Sequence, residues 1–136
     1  MKKSSKWNWY GVKIIKQLIV TGEPDMKLID ESYIDDGKQD FEESLMLVKA
    51  QSFDHAYRIA EKKTLSDAHK YLNIYGQQVE WKFIEAVDCF EIMDELKSGA
   101  EVYSCFHSTD NNKSALEFLD EWFNDTENGC RRARHL

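Results

Sequence analysis

Sixteen consecutive residues, Gln78 to Met93, alternate between apolar and polar side chains, and a run of that length at a period of two can only be strand. The alternation changes phase on the way. Val79, Trp81 and Phe83 are apolar at odd positions, whereas Ile84, Ala86, Phe90 and Ile92 are apolar at even ones. One extra residue turns every following side chain to the other face of a sheet, so a β-bulge or bend is expected near 83–85.

The rest of the chain reads around that strand. In residues 9–21, Tyr10, Val12, Ile14, Leu18 and Val20 share one parity, broken only by Lys16, which makes a half-buried strand. Gly22-Glu23-Pro24-Asp25 stops it, and a long polar loop runs on to Asp40. Residues 45–50 are apolar on both faces and predict a second, central strand. A helix follows from Ser52 as N-cap to about His69, with Phe53, Ala56, Tyr57, Ala60 and Thr64 on one face. Residues 71–74 are a short extended piece, and Ser98-Gly99 is the tightest turn before a returning strand at 101–107. A capping box, Ser114…Glu117, opens a last helix whose apolar face is Ala115, Leu119, Trp122 and Phe123.

Runs of strand interrupted by single helices predict an α+β domain. Its sheet is mostly antiparallel with four or five strands, one helix on a face, and a C-terminal helix against an edge or the same face. At 136 residues the chain is expected to be one domain, with an ordered core at about 7–125 and a flexible basic tail at 126–136. Aromatic residues make up 12% of it, and each buried ring supplies about 1.5–3 kcal/mol, so a core needs neither metal nor disulfide.

Charge and chemistry then exclude classes of function. The formal charge is -7. Between Glu23 and Glu43 there are nine acidic residues against Lys27 and Lys38, a surplus equal to the whole net charge. An acidic body argues against a nucleic-acid binder, and no apolar run is long enough to suggest a membrane span or signal peptide. Three cysteines, Cys89, Cys105 and Cys130, form no CxxC, which fits reduced thiols in a cytoplasm. His55, His69, His107 and His135 show no HxxxH or HExxH spacing, so no metal site is expected. Cys105 and His107 are conceivable as a nucleophile pair, but no third group orients them, and two half-buried strand residues is the plainer reading. No phosphate loop, dinucleotide fingerprint or nucleophile elbow occurs, and no cofactor is implied.

Several pieces together resemble a family of short bacterial and phage proteins catalogued as domain of unknown function 4288. They are Trp9-Tyr10-Gly11-Val12-Lys13, Thr21-Gly22-Glu23-Pro24-Asp25, Phe41-Glu42-Glu43-Ser44, Asn73-Ile74-Tyr75-Gly76-Gln77, Trp81-Lys82-Phe83 and Asp88-Cys89-Phe90-Glu91-Ile92. The resemblance spans roughly 9–107 and implies a bacterial or phage origin and a compact α+β domain, with no activity to carry over. Relatives often have an acidic residue after Asp54, where this chain has His55.

Three functional expectations remain. The leading one is a non-enzymatic interaction module, immunity-like or regulatory, that engages a basic protein partner. Its candidate contacts are Asp30, Glu31, Asp35, Asp36 and Asp40 in the acidic loop, with Trp7 and Trp9 as aromatic anchors. The plain alternative for the carboxylates is a solvated loop. A small-ligand binder, with a cleft between sheet and helices, comes second. An enzyme, for which no catalytic constellation is readable, comes third. Partner identity, oligomeric state and strand order are not encoded in these patterns.

Overall fold

Local sequence places the regular elements of the described residues close to their expected spans, and one strand, β1, organises the rest. The computed structural model describes residues 6–123. These fall into two compact units divided between Tyr103 and Ser104. The expected flexible tail, Cys130 and the first lysines lie outside the described residues.

In the first unit β1 (Asn8–Thr21) lies between β2 (Phe41–Ala50) and β4 (Gln78–Ile92). The three-residue β3 (Lys70–Leu72) pairs with the start of β4. All pairings are antiparallel, and the order is β2-β1-β4-β3. With α1 (Phe53–Asp67) after β2 and α2 (Ala115–Trp122) in the second unit, the described chain is α+β.

The alternation of β1 decides where the core sits. Tyr10, Val12 and Ile14 are buried on one face, joined by Val48 and Ala50 of β2. Onto them α1 lays Ala56 and Ala60, with buried Thr64 one turn further. Small side chains four residues apart let a helix approach a sheet closely. Thr64 satisfies its buried hydroxyl by donating to the Ala60 carbonyl, 2.8 Å away. Ser52 caps α1 by accepting from the His55 backbone N–H. His55 also reaches back, its Nδ1 accepting from the Gln51 N–H at 3.1 Å. A histidine thus makes the return bond of a capping box, one residue upstream of its usual target.

The phase change in β4 is a bulge, as its sequence predicts, and a second follows it. Lys16 pairs with Phe83 and Ile15 with Glu85, which leaves Ile84 extra; Lys13 pairs with Asp88 and Ile14 with Ala86, which leaves Val87 extra. Trp81, Phe83, Ala86 and Cys89 therefore share the helix-bearing face with Leu18, Lys16, Ile14 and Val12, while Phe90 and Ile92 turn to the opposite face. The two insertions bend the sheet into a curl.

Two expectations are corrected. The segment 45–50 is not central, because β1 uses both of its own edges, on β2 and on β4, and β2 is left outermost. Leu45 and Leu47 accordingly remain half exposed. Nor does 101–107 return as a strand. The bulges break the even ladder that a further strand would need. The chain crosses the sheet face instead: Asp94 accepts from the Glu101 N–H at 2.9 Å, and the Tyr103 ring meets that of Phe90 at 5.2 Å.

In the second unit Ser114 and Glu117 form the expected capping box of α2. Among the described residues no helix is long and apolar enough to cross a membrane.

Candidate functional site

Loop 22–40 is too long to be ordered without devices of its own, and aspartates supply them. Asp25, Asp30 and Asp36 each accept, through Oδ1, from the backbone N–H two residues on, at 3.0 Å. These Asx-turns fold the loop locally. Gly22 starts it with φ +95°, a conformation that side chains other than glycine resist. The loop then closes alongside the strand it left, where the Leu18 N–H donates to the Asp40 carbonyl at 2.9 Å.

The turn between β3 and β4 anchors the far side. Asn73 Oδ1 accepts from the backbone N–H groups of both Tyr75 and Gln77, and its Nδ2 donates to Gln77 Oε1. From this turn Tyr75 reaches into the loop, its hydroxyl donating to Asp30 at 2.8 Å and its ring meeting Tyr33 edge-on. Burial, first, and the bond to Asp30 push the Tyr75 phenol above its ordinary pKa. Two backbone ties complete the junction: the Asp25 N–H donates to the Tyr75 carbonyl, and Gln77 Nε2 to the Gly22 carbonyl.

Between loop, turn and the last third of β1 lies a cleft of about 810 Å³. Its wall carries the carboxylates of Glu23, Asp35, Asp36 and Asp40 and a single ammonium, Lys38. Amides of Gln17, Gln39, Asn73 and Gln77 also line it. This arrangement offers acceptors and negative potential to a cation. Met26, Leu28 and Ile34 stand exposed on the same loop, so the surface is acidic and apolar together.

The sequence-predicted residues do not form one patch. Asp35, Asp36 and Asp40 line the cleft, Asp30 holds Tyr75, and Glu31 is exposed outside the lining. Trp7 and Trp9 sit at the opposite end of β1, roughly 40 Å of extended strand away at most. Trp7 packs on the His55 ring, and Lys49 Nζ lies 5.5 Å from the centre of the Trp9 ring. Sequence reading missed Glu23, Lys38, Tyr75 and the glutamines. The signal that could have found them is the density of polar turn residues in 21–25 and 73–77, two separate pieces that meet here.

At the end of α1, Thr64 and Asp67 face Lys16, Glu42 and Trp81 of the sheet across a pocket of about 190 Å³. Drug-sized ligands fill about 300–1,000 Å³.

The second unit holds another juxtaposition. Cys105 Sγ and His107 Nε2 are 3.3 Å apart, and the His107 ring is packed among Phe118, Trp122 and Phe123. The pair meets without the strand that was expected to carry it. Among the described residues no cluster of three metal-ligating side chains occurs.

No curated protein and no solved structure matches this chain. Residues 9–104, most of its length and both walls of the cleft, match the family described as Domain of unknown function (DUF4288), and the chain belongs to that family.

Proposed function

We propose that this protein is a non-enzymatic interaction module whose acidic cleft receives a basic segment of a protein partner. The observation that carries the reading is the composition of the cleft wall: four carboxylates against one ammonium, on a loop that also exposes Met26, Leu28 and Ile34. Negative potential focused in a concavity steers a cationic partner, and exposed apolar side chains beside it supply the contact area that a solvated loop has no use for. The reading places the protein in the cytoplasm of a bacterium or phage-infected cell, acting by immunity-like or regulatory complementarity.

A small cationic ligand is the second reading, favoured by a cleft volume within the usual ligand range. The test is selection of binding segments from a displayed random peptide library, followed by kinetics on the selected peptide. Lys- or Arg-rich segments should emerge, with association slowing as salt rises. The triple variant D35N/D36N/D40N should bind more slowly and respond little to salt. Selection of neutral or acidic peptides, or unchanged kinetics in the triple variant, would show the carboxylates to be solvated surface. Selective binding of free polyamines, with no peptide preference, would favour the second reading.

A further inference from the structure

β2 is the longer of the two outermost strands of the sheet. Among the described residues no strand pairs with it on the side away from β1. Ten residues long, without proline and without a register shift against β1, it is the kind of edge that proteins usually blunt. The other edge strand is blunted, since β3 has only three residues.

On the sheet face away from α1, β2 presents Glu43, Leu45, Leu47 and Lys49 in succession, all exposed. That series is its own complement. When a sheet is extended by an antiparallel copy of the same edge, the two-fold axis stands perpendicular to the sheet and passes midway between the two copies of one self-paired residue. With the axis at Met46, Glu43 lies opposite the partner's Lys49 and Leu45 opposite the partner's Leu47. The symmetry repeats both pairs. The ion pairs then flank a patch of four leucines, which explains why a strand at the edge is apolar on its open face. On the helix face Ser44 meets the partner's Val48, and Met46 meets itself. Sliding the copy by two residues sets Glu43 against the partner's Leu47, or Leu45 against the partner's Lys49, and loses both ion pairs. One register stands out.

We infer that the chain forms a two-fold dimer by antiparallel β2–β2 pairing centred on Met46, making one continuous sheet across both copies. The second copy is the occupant that the charges select, because cross-strand opposite charges stabilise and like charges repel. This surface is separate from the acidic cleft, and the inference does not depend on the proposed function.

Sedimentation equilibrium of the full chain up to roughly 100 μM provides the test, with charge reversals as probes. The wild type should be a dimer. Either E43K or K49E alone sets like charges opposite each other at both ends, and the dimer Kd should rise on the order of tenfold or more. An equimolar mixture of E43K and K49E chains restores opposite charges at both ends, so heterodimers should return to within about threefold of the wild-type Kd. Recovery on mixing also shows that both variants fold. Within one copy, Glu43 also lies 3.6 Å from Lys13. Mixing does not restore that contact, so recovery reports on the interface alone. A wild type that stays monomeric, or a dimer indifferent to the single reversals, would overturn the inference. So would a mixture that associates no better than its components.

Discussion

The ring of Phe90 lies across the backbone of Gly11 on the neighbouring strand, so near that a Cβ at position 11 would stand 2.4 Å from the ring carbon Cζ. The ring has little room to retreat, because Tyr103 packs against it and Lys13 Nζ lies over Tyr103 at 5.2 Å. Gly11→Ala should destabilise the protein by about 1–3 kcal/mol, measured by urea unfolding. Combining it with Phe90→Ala should cost less than the sum of the two single changes, since the clash and its cause disappear together.

Position within β1 should grade the cost of truncation. Ile14 is almost fully buried, whereas Val20 is 43% exposed near the strand end. Ile14→Ala should lose about 2–5 kcal/mol, while Val20→Ala stays within about 1 kcal/mol of wild type. Equal costs would mean that α1 does not organise the core as described.

Tyr75 ties the cleft's two walls together, and its ionisation should loosen them. Its phenol has a raised pKa in the folded state, so the bond to Asp30 is fully effective below the ordinary tyrosine value. Its contribution is then lost as pH rises from there through the folded-state value. Hydrogen exchange of loop 22–40 should accelerate over that alkaline window in the wild type. In Tyr75→Phe the same loop should exchange faster at neutral pH, without the alkaline step.

The two described thiols should react differently. Burial, and then the neighbouring charge of Asp88, push the Cys89 thiol up, while Cys105 is exposed. In a Cys130→Ser background at pH 8, iodoacetamide should label Cys105 first. Labelling of Cys89 should need higher pH or partial unfolding. Peptide mass mapping of a time course reads the order.

The acidic loop is held by carboxylates acting as acceptors, and an amide keeps one acceptor oxygen. The five-fold amide variant of Asp30, Glu31, Asp35, Asp36 and Asp40 should therefore change unfolding free energy by under about 1 kcal/mol. A larger loss would assign the charges a folding role that geometry alone does not give them.

Periodicity by itself located the two helices and the long strands of the described residues, and it also read 101–107 as a strand that does not form. The alternation of Tyr10, Val12 and Ile14, the Ser52 and Ser114 caps and the phase break near Ile84 are local patterns, legible because each follows from the geometry of one element. What each element meets is not local. The apolar β2 reads as central until β1 is seen to use both its edges, and the return strand at 101–107 fails because bulges three residues apart in β4 make that edge uneven. The candidate site divides along the same line. Composition alone concentrates the carboxylates in residues 23–43. Only the fold could bring Asn73 to Gln77 against that loop and bury Tyr75 on Asp30. Long-range pairing depends on which surfaces are left after every other strand has found its neighbour, and no window of sequence contains that.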